Sequence, residues 1–169
     1  MKKFVFYFIT YFAVSFGGLG SLYRLVSLVM NESAFACLFR MFAYHQQHPM
    51  QYIGVVAICY AAVAALWTAW MKHRRTRGLR LLEVLAVILV ALVLACPFGG
   101  MLWQFHDMLA GFFPNYWLQK LLGGAVGGLM LGPLLIFYSF PYNLIGLIVG
   151  YFATSSLNSF FYRLENQRG

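Results

Sequence analysis

Residues 121–140 read LLGGAVGGLMLGPLLIFYSF, a stretch without a single charge. A helix needs about twenty apolar residues to cross the hydrocarbon of a bilayer, and a helix satisfies its own backbone polar groups there, so this stretch predicts a membrane-spanning helix. At about 100° per residue, Gly123, Gly124, Gly127, Gly128 and Gly132 fall within half of the helix circumference. A face without side chains lets another backbone approach closely, which is how helices pack in a medium as apolar as their own side chains. The spacing therefore predicts a helix–helix contact surface.

The neighbouring segments extend the pattern. Residues 144–161 form a second apolar run with Gly146 and Gly150 four apart, joined to the first by Pro141, Tyr142 and Asn143, which predicts a tight helical hairpin. Upstream, 52–71 is uncharged, carries alanines at Ala57, Ala61, Ala65 and Ala69, and ends in Trp67 and Trp70, an interfacial anchor pattern. Residues 81–96 return across the membrane and end at Pro97, and 4–22 supply a first span with Ala13, Gly17 and Ser21 at the same spacing of four. Two stretches mix charge with apolar residues: 31–48 reads as an amphipathic surface helix, and 98–116 as interfacial or re-entrant. The expected fold is all-α: a polytopic helical membrane bundle of about five transmembrane helices, with four to six compatible with the pattern, in a single domain 1–169. A sixth crossing through 98–116 would place Asp107 near mid-bilayer, at about 2.5 to 3.5 kcal/mol on insertion scales. Five spans put Lys120, Arg163 and Arg168 on the outer side, where positive charge is scarce.

Composition agrees. Of the 169 residues, 62% are hydrophobic and 9% charged, against roughly 45–50% and about 25% in soluble domains. So much apolar chain leaves no length for a soluble catalytic domain. The net charge of +8 is explained by topology: Lys72, Arg74, Arg75, Arg77 and Arg80 crowd the loop 72–80, as the positive-inside rule expects of a cytoplasmic loop. That orientation makes the N-terminus cytoplasmic, and the size and hydropathy suggest a bacterial inner membrane. Nucleic-acid binding is disfavoured because the aromatic residues lie in apolar runs, away from the charges. Lys2 and Lys3 before FVFYFITYFAV resemble a secretory signal without an A-x-A cleavage site, so the segment is expected to remain as an anchor. Cys37, Cys59 and Cys96 form no CxxC pair and read as packing residues.

Chemistry is sparse. His106 and Asp107 are adjacent in the polar stretch between two spans, a position where ionisable groups mark pathways or sites; yet neighbours on a helix point about 100° apart, which argues against a simple dyad. His45 and His48 have a spacing that could share a metal, but Gln46, Gln47 and Pro49 add no further ligand, and the spans offer no histidine pair for haem. No metal or cofactor is expected. Thr154, Ser155 and Ser156 lack a GxSxG motif or a base at catalytic spacing. Glu83 stands three residues after Arg80, a same-face ion-pair spacing.

The basic loop sets topology, attracts anionic lipid, and is also a patch suited to an acidic cytoplasmic protein. The reading that results is a non-enzymatic inner-membrane protein that self-associates through Gly/Ala seams as a homo-oligomer and acts as a scaffold or sensor docking a cytoplasmic partner. Small bacterial proteins of this size and hydropathy occur in defence, exclusion and immunity modules. The alternatives are a small oligomeric channel or transporter subunit, disfavoured by spans bare of ring-forming polar groups, and an intramembrane enzyme using His106 and Asp107.

Overall fold

A computed structural model describes residues 2–29, 49–70, 80–112, 115–138 and 140–166. They form five helices: α1 (Lys2–Val29), α2 (Pro49–Trp70), α3 (Arg80–Leu109), α4 (Trp117–Tyr138) and α5 (Phe140–Asn166). There is no strand among the described residues. Four helices are long and apolar enough to cross a membrane, over Lys3–Leu25, Met50–Trp70, Leu81–Leu109 and Leu144–Phe161. The chain is an all-helical membrane protein. The surface segment expected at 31–48 lies outside the described residues.

The core sits between α1, α2, α3 and α5. Its members are Tyr7 and Tyr11 from α1, Tyr60, Ala61, Ala64 and Ala65 from α2, Val84, Val87, Ile88 and Ala91 from α3, and Phe161 from α5. Small residues on α2 allow this closeness: Ala57, Ala61 and Ala65 are 0% exposed. α1 and α2 run antiparallel, as Tyr11 meets Thr68, Phe16 meets Gly54, and Met50 meets Gly20. α2 and α3 are also antiparallel, with Gln51 near the start of one bonded to His106 near the end of the other.

Segment 81–96 does not end at Pro97. α3 continues through Pro97 to Leu109, so residues 98–109 prolong a span instead of forming a separate interfacial or re-entrant element. Proline removes one helical donor, a loss that a transmembrane helix packed on its neighbours tolerates. The stop is Gly111. Its φ of 85° lies in the left-handed region, its N–H donates to the Met108 carbonyl at 3.0 Å, and the Phe112 N–H donates to the Asp107 carbonyl at 3.1 Å. These are the paired bonds of a Schellman cap.

The hairpin expected between the last two segments is also absent. Pro141, Tyr142 and Asn143 lie in the first turn of α5, where proline forfeits no helical bond. Both helices run opposite to α3. Along α4, Gly124 lies against Gly100 and Gly132 against Cys96; along α5, Gly150 lies against Ile88. Farther along α5, Phe161 reaches Tyr7 at the start of α1. α4 thus covers one half of α3 and α5 the other, and together they make a single return. Among the described residues the helices run the length of the bundle four times, and the first and last helical turns share one end.

Candidate functional site

That shared end is the most strongly marked part of the molecule. It gathers Lys3 at the start of α1, Trp70 at the end of α2, the start of α3 at Arg80, and Arg163 near the end of α5. An aromatic cluster holds it: the Phe161 ring stands 4.6 Å from Tyr7, 5.6 Å from Tyr11 and 5.8 Å from Phe6. Trp67 and Trp70 meet edge to face at 6.3 Å, and Trp70 is 79% exposed, as an interfacial anchor should be. Lys72, Arg74, Arg75 and Arg77 lie outside the described residues, between the flanks Trp70 and Arg80, which both belong to this end.

At the opposite end, His106 and Asp107 occupy the last turn of α3. With 30 residues, α3 is about 45 Å long at 1.5 Å per residue. That exceeds the roughly 30 Å of bilayer hydrocarbon, so α3 either tilts or extends past the hydrocarbon. The His106 Nε2 lies 2.8 Å from the Gln51 Oε1, and its ring stacks on Tyr52 at 6.3 Å. His106 therefore ties the ends of α2 and α3 together. Among the described residues no group of three His, Cys, Asp or Glu side chains could hold a metal ion.

The small-residue positions divide into three sets. Gly124, Gly128 and Gly132 face α3 of the same chain, against Gly100, Gln104 and Cys96. A Cβ on Gly128 would strike the Cys96 carbonyl, one on Gly100 would strike the Gly124 carbonyl, and one on Gly124 would come within 2.6 Å of the Gln104 Cγ. Ala57, Ala61 and Ala65 are likewise enclosed within the chain. These six therefore pack helices within the chain, the helix-packing half of what their spacing predicts. A Cβ on Gly150 would come to 3.4 Å from the Ile88 side chain, again internally. Gly123, Gly127 and Gly146 have nothing within 4 Å of a Cβ and stay open. The sequence does contain the partner seam, since Cys96, Gly100 and Gln104 repeat every fourth position as Gly124, Gly128 and Gly132 do. It goes unnoticed when Pro97 is read as a terminus.

Two buried hydroxyl pairs also escape sequence reading. Tyr11 Oη and Thr68 Oγ1 are 3.0 Å apart. Thr154 donates to the Gly150 carbonyl at 2.6 Å, so its oxygen accepts from Tyr60, giving a chain from Tyr60 through Thr154 to the backbone of α5.

No family model, curated protein or solved structure matches this chain.

Proposed function

We propose that the protein is a non-enzymatic scaffold of a bacterial inner membrane that holds an acidic cytoplasmic partner at its basic end. The observation that carries this reading is the convergence of Lys3, Arg163 and both flanks of the 72–80 loop on one end of the bundle. Clustered guanidinium groups bind carboxylates bidentately, and anionic headgroups strengthen the same surface. Self-association belongs to this proposal through the open face of α4 at Gly123 and Gly127. The scaffold is favoured over a channel because the buried hydroxyls of Tyr11, Thr68, Tyr60 and Thr154 are used up in pairs instead of facing a common axis. A role in a defence, exclusion or immunity module fits such a scaffold.

Reversing Arg74, Arg75 and Arg77 to glutamate tests it. The expected result is loss of the cytoplasmic protein that co-purifies with the wild type, with membrane insertion and orientation unchanged by reporter fusion. A partner retained by the correctly inserted variant would reduce the loop to a topology signal.

A further inference from the structure

Where α1 and α5 separate above their aromatic junction, they leave a cavity of about 130 Å³ closed behind by α2 and α3. Its walls include Gly18 and Leu22 of α1, Ile53 of α2, Leu92 of α3, and Gly146 and Leu147 of α5. The glycines make the space: a Cβ on Gly18 or on Gly146 would meet no atom within 4 Å. Two hydroxyl-bearing side chains, Ser15 and Tyr60, also line it. Both are engaged inside the protein, Ser15 donating to the Phe12 carbonyl at 3.2 Å and Tyr60 to Thr154. The walls thus offer a guest hydrocarbon and little else.

We infer that this cavity is a binding site for one acyl chain of a membrane phospholipid. Depth supports that occupant. On α1 the lining runs from Val14, midway along the Lys3–Leu25 span, to Leu22 near its far end, about 12 Å at 1.5 Å per residue. One leaflet contributes about half of the roughly 30 Å hydrocarbon thickness, so the site covers most of the leaflet remote from the basic end. Width supports it too: a second copy would have to insert a helix about 10 Å across, whereas an apolar cavity of about 150 Å³ accepts benzene, and a run of methylenes is as slender. Binding here draws on dispersion contacts that an unfilled wall would forfeit, since the surrounding lipid is already apolar.

The test uses the full chain in nanodiscs doped with a phosphatidylcholine carrying a mid-chain diazirine, with adducts mapped by mass spectrometry after illumination. Adducts are expected to concentrate on 14–22 and 146–153, and Gly146→Leu or Gly18→Leu, whose side chains enter open space, should abolish that concentration. Gly127→Leu, on the open face of α4, should leave it unchanged. Adducts spread evenly over the outward helix faces, or adducts indifferent to both cavity-filling variants, would each overturn the assignment.

Discussion

The rings of Tyr7 and Phe161 stand 4.6 Å apart, joining the second turn of α1 to the last turns of α5. Phe161 is 1% exposed and Tyr7 6%, so the two ends of the chain are tied through one buried aromatic cluster. Edge-to-face and tilted aromatic pairs contribute about 0.5–1.5 kcal/mol beyond the area they bury. The contact also fixes the sense of the last pass. With Thr154 beside Tyr60 and Phe161 beside Tyr7 and Tyr11, α5 runs parallel to α2 and antiparallel to α3.

Topology reporters can check this arrangement directly. Fusions before Met1, within 72–79 and after Gly169 should all report one compartment, and a reporter inserted at 113–114 the other. A C-terminal fusion on the side opposite the 72–79 insertion would restore an odd number of crossings and contradict the single return made by α4 and α5.

The glycine seam gives opposite expectations for neighbouring residues. Alanine at Gly128 would strike the Cys96 carbonyl, and alanine at Gly100 the Gly124 carbonyl, so the helices must move apart. Overpacking of this kind costs about 1–3 kcal/mol, measurable as lowered thermal stability in mild detergent. Leucine at Gly123 or Gly127 enters open space and should leave the folded monomer as stable as the wild type. If copies meet on that face, as proposed, the same leucines should convert the oligomer to monomer by light scattering.

How far the sequence could be read depended on the reach of each signal. Hydropathy is summed over a whole segment, so the membrane class and the helices at 4–22, 52–71 and 144–161 were legible from composition and run length. Helix direction depends on contacts between distant residues. The hairpin inferred from Pro141 to Asn143 therefore failed, because proline opens a helix as readily as it closes one. Pro97 misleads in the complementary way: in lipid a helix can continue past a proline, and the stop signal is Gly111, twelve residues before Gly123. Small-residue spacing located contact faces correctly at Gly124, Gly128 and Gly132, but spacing cannot say whether the facing helix belongs to the same chain. The basic loop was legible as a charge run, while its grouping with Lys3 and Arg163 required the fold.

The hydroxyl chain predicts modest, coupled losses. Tyr60→Phe removes the donor to Thr154 but leaves Thr154 bonded to the Gly150 carbonyl, whereas Thr154→Val strands the Tyr60 hydroxyl in an apolar core. Hydrogen bonds between membrane helices average about 0.6 kcal/mol, with a maximum near 1.7. In a double-mutant cycle by denaturant unfolding in mixed micelles, Thr154→Val should cost more than Tyr60→Phe, and the double variant less than their sum. Additive losses would mean that the two hydroxyls do not bond.

Gly111 offers a cleaner local test, because its requirement is conformational. With φ at 85°, a side chain there crowds the following carbonyl, a penalty of roughly 1–2 kcal/mol for most residues and less for asparagine. Gly111→Ala should therefore lower stability by about that amount, with Gly111→Asn falling between alanine and wild type. The loss should be local. Amide exchange should quicken over 106–112, where the Gly111 and Phe112 N–H groups cap α3, before it quickens near Ala91 in the core. Equal stability for alanine and glycine at this position would mean that α3 does not end in a left-handed residue, and the boundary between α3 and the segment leading to α4 would have to be redrawn.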